Sequence, residues 1–194
     1  MLSNLRKIRL CVVAMICSMA TPCVGQLVDI ITPTYQSTYD LTLQCPRQVL
    51  WTVHKNDLST KVARQSWPFV SDIRHPLATA NHDDFINSGF HRGHMCPAAD
   101  RSATVDMMRS TFTMSNIAPQ LPQVNTGTWK RTENFCRSAA LLYDSVTVVA
   151  VPLFLNRDTL FIGRHRLAVP HAFLKAAWLP RNDSIINVWM IWNK

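Results

Sequence analysis

The 194-residue chain has no internal repeat, no low-complexity tract and no compositional break that marks a linker, which excludes a solenoid or a string of domains. It also lacks an apolar run of bilayer length. The longest at the N-terminus, Leu10 to Ala20, has 11 residues, against the roughly 20 that a spanning helix needs. No CxxC pair is present, and outside residues 1–25 only Cys45, Cys96 and Cys136 remain. That odd number cannot pair fully within one chain, so no disulfide scaffold is implied. Acids are the minority charge, 12 against 20 Lys and Arg, for a net charge of +8. A mildly basic surface favours anionic partners.

Residues 1–25 have the make-up of an address label. Arg6, Lys7 and Arg9 precede the apolar run, Thr21-Pro22 breaks it, and Cys23 and Gly25 suit cleavage before Gln26. The expectation is a signal peptide and an exported, periplasmic or secreted protein with no stable membrane association after its removal. Cleavage would leave 169 residues at +5, one domain able to bury a core.

Residues 26–44 are polar and without a sustained period, which predicts an extended, partly ordered lead-in to a single domain over 45–194. Val49 to Val53 reads as a strand and Asn56 to Ser59 as a turn. Asn81 to Phe85 suits a capped helical turn, Ala99 to Met108 a short helix, and Thr111 to Met114 a strand. Pro119 and Pro122 predict an irregular loop. Asn125 to Tyr143 is the best helix, and Val146 to Leu155 the strongest strand. Thr159 to Ile162, Leu167 to Val169 and Ile185 to Trp192 are further strands, with Ala172 to Trp178 helical. The fold class is α+β around a central antiparallel sheet.

Polar chemistry is concentrated between Gly89 and Arg137. His94, in Gly-Phe-His-Arg-Gly-His-Met-Cys-Pro, suits a strand end and has the near-neutral pKa of a general base. A buried histidine satisfied by a carbonyl is the bland alternative. Arg92, two residues earlier, falls on the same side of an extended strand, and arginine binds phosphate bidentately. Asn125, Trp129, Glu133 and Arg137 recur every four residues, one helix face. A Glu133–Arg137 surface pair would explain half of that pattern. An asparagine oxygen with a nearby glutamate holding water also suits Mg²⁺, which takes few protein ligands, and a helix opening offers N–H groups to phosphate. Trp129 reads as core. His91, His94 and Cys96 lack a fourth partner for a closed zinc site.

His-Arg-Gly-His-Met-Cys-Pro-Ala-Ala-Asp-Arg resembles the Asp-Arg-Gly-His signature of the sugar-non-specific DNA/RNA endonucleases, the family of the secreted Serratia-type nuclease and mitochondrial endonuclease G. Ser-Asn-Ile-Ala-Pro-Gln and Asn-x-Gly-x-Trp-x-x-x-Glu follow in the family's order and spacing. The resemblance spans roughly Cys45 to Asn193. It implies a ββα-metal (His-Me finger) fold and magnesium-dependent hydrolysis of DNA and RNA, with Mn²⁺ as a substitute ion. It further implies His94 as general base, Asn125 as the direct metal ligand and Glu133 as holder of a metal-bound water. Arg92, Arg137 and Arg64 would act on phosphate, and Asn116 would order the site. His91 replaces the family's usual Asp, and the chain stops at Lys194 where many members continue. The competing readings are a non-catalytic nucleic-acid-binding relative and a phosphodiesterase of small nucleotides.

Overall fold

A computed structural model of the protein describes residues 25–59, 62–63, 67–72, 80–155 and 158–194. Six antiparallel strands form its main sheet: β1 (Leu27–Ile31), β2 (Gln36–Asp40), β3 (Cys45–His54), β6 (Ser145–Leu153), β9 (Ala172–Leu179) and β10 (Ser184–Trp192), in that spatial order. A separate antiparallel pair joins β4 (His91–His94) to β5 (Ile117–Gln120), and a third pairs β7 (Phe161–Ile162) with β8 (Leu167–Ala168). The helices are α1 (Lys55–Ser59), α2 (Val105–Ser110) and α3 (Lys130–Tyr143), the last continuing a π-helical turn at Val124–Trp129. The antiparallel α+β class expected from the sequence is present.

The strands alternate as a half-covered sheet must. On β3, Val49, Trp51 and Val53 are buried against the helical layer, while Leu50 and Thr52 face the other way. Helix α3 meets that layer through Thr132, Cys136, Ala139 and Ala140, a single stripe of small residues. Small side chains let the helix axis approach the sheet closely. Leu141 and Leu142, apolar in sequence, stand exposed just past that stripe.

Several local expectations differ from the structure. The 26–44 lead-in contains β1 and β2, which pair from Leu27↔Asp40 to Ile31↔Gln36. β1 is the sheet edge, and β2 lies between it and β3. In β2 the buried Ser37 donates to the Ser115 carbonyl and the buried Asp40 accepts from Thr42 and Leu43 N–H, so hydrogen-bonded polar groups stand where an apolar period would otherwise run. The turn at Asn56–Ser59 is the short helix α1. Ala99 to Met108 divides into a 3₁₀ turn, Ala98–Arg101, and α2, whose Thr104 cap accepts from Met107 N–H. Thr111 to Met114 is not a strand; the strand is β5, which even includes Pro119, opposite Arg92 at the short hairpin's edge. Ala172 to Trp178 is strand β9 rather than helix. There a lysine, Lys175, takes an inward position and hides the period-2 pattern.

The capped turn is as expected. Asn81 accepts from Asp83 N–H, while the Asp84 carboxylate accepts from Asn81 N–H at 2.7 Å. Asp84 also takes the His165 backbone N–H at 3.0 Å and lies 2.9 Å from His165 Nδ1. Burial raises the Asp84 carboxyl, but the hydrogen bonds from His165 and Asn81 outweigh it and leave it below the ordinary value of 3.8. A depressed carboxyl stabilises the fold above its unfolded pKa and loses that contribution as pH falls through its folded pKa. The urea midpoint of Asp84→Asn should therefore fall below wild type at pH 6–7, and the gap should close as pH drops under 3.8. A pH-independent gap would rule out the ionised carboxylate as the cause.

Candidate active site

His94 ends β4 and is 9% exposed. Its ring packs edge-on to Phe112, centroids 4.9 Å apart, and tilts against Phe69 at 5.4 Å. The Arg92 guanidinium lies over the same Phe69 ring at 5.7 Å, so the two side chains share one face of the strand as expected. Arg92 also donates to the His82 carbonyl at 2.9 Å and sits over Phe85. Burial lowers its pKa, partly offset by Asp83. Gly93, between them, is buried, and any Cβ there would overlap the Gln120 side chain across the pair. That close approach explains the glycine in Arg-Gly-His.

Asn116 is fully buried and clamps the chain just past His94. Its Oδ1 accepts from Cys96 N–H at 2.9 Å, and its Nδ2 donates to the carbonyls of Cys96 and Thr111. Its own carbonyl accepts from Met95 N–H. A second tie comes from the helix: Trp129 Nε1 donates to the His94 carbonyl at 3.0 Å. Trp129 is fully buried, 5.3 Å from Phe173, in keeping with its reading as core.

The expected single face of Asn125, Trp129, Glu133 and Arg137 divides in two. The first two sit in the π turn, where the i→i+5 pattern breaks the four-residue repeat. Trp129 points inward, whereas Asn125 is half-exposed, its Nδ2 lying 3.3 Å from His91 Nδ1. The N–H groups of Val124 and Asn125 are not free for phosphate, because both donate to the Leu121 carbonyl.

Glu133 and Arg137 do pair, at 3.9 Å, but the shorter contact of Arg137 is with Asp100, 2.7 Å away. Asp100 is fully buried and also accepts from Trp51 Nε1 at 2.9 Å. Arg137 completes its bonding with Asn134 Oδ1. The guanidinium expected on phosphate is thus held by protein carboxylates. Asp100 belongs to the quoted Ala-Ala-Asp-Arg run, yet sequence alone assigned it nothing. Lys175 was missed as well. It is fully buried, with Nζ 3.5 Å from the Trp129 ring centre. Burial pulls its ammonium below the usual value, against the attraction of Glu133, Cys136 and Asp100. Arg64 lies outside the described residues.

Cys96 and Cys136 are free, buried thiols pushed up to about 12 by burial, and buried Cys45 is raised too. Such thiols are inert as nucleophiles. For the ion that the resemblance implies, the chemistry fits: with Nδ2 turned to His91, Asn125 retains a hard carboxamide oxygen.

Hairpin β4–β5, the loop after it and the helix through Trp129 and α3 form the ββα unit of a His-Me finger nuclease fold. The model of the DNA/RNA non-specific endonucleases matches residues 14–192, and the chain belongs to that family. It is 33% identical over 157 residues to the mitochondrial nuclease EXOG of Danio rerio, covering 76% of this chain and 46% of that protein. To the mitochondrial endonuclease G of Bos taurus it is 34% identical over 142 residues, covering 66% of this chain and 48% of the other. The chain thus spans about half the length of these relatives. A solved structure of the EndoG/EndoGI complex superposes with a TM-score of 0.78 at 25% identity, over 94% of this chain and 80% of that one.

These relatives overturn one expectation. The sequence predicts an export signal over residues 1–25, but the named relatives are mitochondrial nucleases. A basic, acid-free leader serves organelle import as readily as secretion.

Asp100 anchors the inner end of the site, which fixes a stability prediction. Asp100→Asn takes from the largely buried Arg137 its nearer charge partner, leaving only the longer Glu133 contact, and should cost about 3 kcal/mol in urea unfolding. Adding Arg137→Met should recover part of that loss. Equal stability of wild type and Asp100→Asn would show the pair contributes nothing.

Proposed function

We propose that this chain is a metal-dependent endonuclease that hydrolyses phosphodiester bonds of DNA and RNA without strong sequence preference. The observation that carries this reading is the junction of strand and helix. Trp129 ties the backbone of His94 to the helix that bears Asn125 and Glu133. A base candidate and an oxygen ligand are thereby fixed on two rigid elements, which is the arrangement hydrolysis requires.

In this reading His94 accepts a proton from the attacking water, its ring held by Phe69 and Phe112 rather than free to rotate. Arg92, on the same face, binds the scissile phosphate, and its partly desolvated guanidinium strengthens that contact. Asn125 would hold the divalent ion, Mg²⁺ with Mn²⁺ as substitute, and Glu133 would orient a water beside it. When bound, the ion supplies charge stabilisation where the 3′-oxygen departs, leaving a 5′-phosphate. Arg137, engaged by Asp100, positions Glu133 instead of binding substrate. Asn116 keeps the turn after His94 in place. Contacts aimed at the sugar-phosphate backbone carry no sequence information, hence broad cleavage. The mitochondrial relatives and the basic leader support a mitochondrial location.

The test uses purified protein with supercoiled plasmid and with RNA, in Mg²⁺ or EDTA. Nicking should require the ion, and His94→Ala should reduce it by roughly 10²- to 10⁴-fold, the usual share of a general base. Binding without cleavage would sink the proposal. Cleavage confined to small diesters would move the assignment to a nucleotide phosphodiesterase.

A further inference from the structure

His91 is where the chain departs from the Asp-Arg-Gly-His pattern that it resembles, and the structure gives that departure a location. The exposed imidazole does not reach back to order Arg92. Its Nδ1 lies 3.3 Å from the Asn125 side chain. The contacting Asn125 atom is Nδ2, but a half-turn of the carboxamide exchanges Nδ2 for Oδ1 without moving the backbone. The same two side chains would then face each other as an imidazole nitrogen and a carboxamide oxygen, both ion ligands.

Their separation is informative. Neighbouring ligands about 2.1 Å from an octahedral ion stand about 3.0 Å apart. Around a tetrahedral ion bound at about 2.0–2.1 Å the spacing is about 3.4 Å. The observed 3.3 Å lies close to both values, so one ion can bridge the pair with little adjustment. As a hydrogen bond the contact is long and solvent-exposed. The two residues come from β4 and from the π turn, 34 positions apart in sequence, and the Trp129–His94 bond fixes their elements to each other.

Resting on the assignment of Asn125 as an ion ligand, we propose that His91 is a second protein ligand at the same ion. It replaces an all-oxygen preference with a mixed nitrogen and oxygen one. Mg²⁺ prefers oxygen and keeps its waters, whereas imidazole favours transition ions, with Co²⁺ above Mn²⁺ in intrinsic affinity. The site is therefore biased toward Mn²⁺ and Co²⁺ over Mg²⁺.

The experiment is calorimetric titration of the full chain with Mg²⁺, Mn²⁺ and Co²⁺, together with pulsed EPR of the Mn²⁺-loaded protein. Wild type, His91→Ala, His91→Asp and Asn125→Ala are compared, with thermal melts to confirm folding. His91→Ala should weaken Mn²⁺ and Co²⁺ binding by about tenfold or more, while Mg²⁺ affinity stays within about twofold. An imidazole ¹⁴N coupling should be present in wild type and lost in both His91 variants. His91→Asp should restore Mg²⁺ preference. No nitrogen coupling, a coupling that survives His91→Ala, or equal weakening of all three ions would overturn the proposal. The Asn125 assignment fails separately: if Asn125→Ala keeps full Mn²⁺ affinity, the ion does not sit on that residue. If Asn125→Ala abolishes binding and His91→Ala changes nothing, Asn125 stands and His91 falls.

Discussion

One buried hydrogen bond, from Trp129 Nε1 to the His94 carbonyl, sets the geometry of the whole site. It joins the strand that carries the base candidate to the helix that carries Asn125 and Glu133, the proposed ion and water ligands. Its surroundings make it strong. Trp129 is fully buried, Phe173 packs at its side and Lys175 lies over its face. In so low a dielectric, an unmade bond would leave an indole N–H and a carbonyl unsatisfied at about 1–3 kcal/mol. Sliding the helix along the strand therefore carries a direct energetic cost.

Two further restraints converge on the same place. Asn116 closes the chain beyond His94 with three side-chain hydrogen bonds, and Asp100 anchors Arg137 and, through it, the Glu133 turn. Asn193 adds a peripheral tie. It accepts from Leu121 N–H and donates to the carbonyls of Pro119 and Pro170, fastening the loop between β5 and the helix to the main sheet. The site is thus supported from behind by buried polar groups, while Arg92, His91 and Asn125 remain open to solvent in front. Rigid backing with an accessible face suits a long polyanionic substrate.

Much of this was legible in the sequence because the polar motifs are short, local and correctly spaced. His94 and Arg92 share a face by strand period alone, and the helix from Asn125 to Tyr143 was evident. What remained hidden depends on tertiary pairing. Asp100 acquires meaning only when Trp51 and Arg137 reach it from elsewhere in the chain. Lys175 made β9 look helical because an inward-facing lysine defeats period-2 reading, and its presence is explained by the Trp129 face and the attraction of Glu133 and Asp100, all brought to it by the fold. The π turn broke the four-residue repeat, so Asn125 and Trp129 point apart although their spacing said otherwise. Strand β2, Gln-Ser-Thr-Tyr-Asp, offered no apolar period to read although Ser37, Tyr39 and Asp40 are buried, and the apolar run of β1 at the sheet edge is only five residues long. The leader's charge pattern, finally, does not distinguish export from organelle import.

The most direct measurement of the central claim is the single-turnover nicking rate of Trp129→Phe, in a sample whose thermal melt confirms a folded protein. This substitution keeps an aromatic ring against Phe173 but removes the donor to His94. The rate should fall by about tenfold or more, since misplacing a reacting group by about an ångström can cost about 10²-fold. A folded variant that cleaves at the wild-type rate would contradict the claim that this bond sets the site.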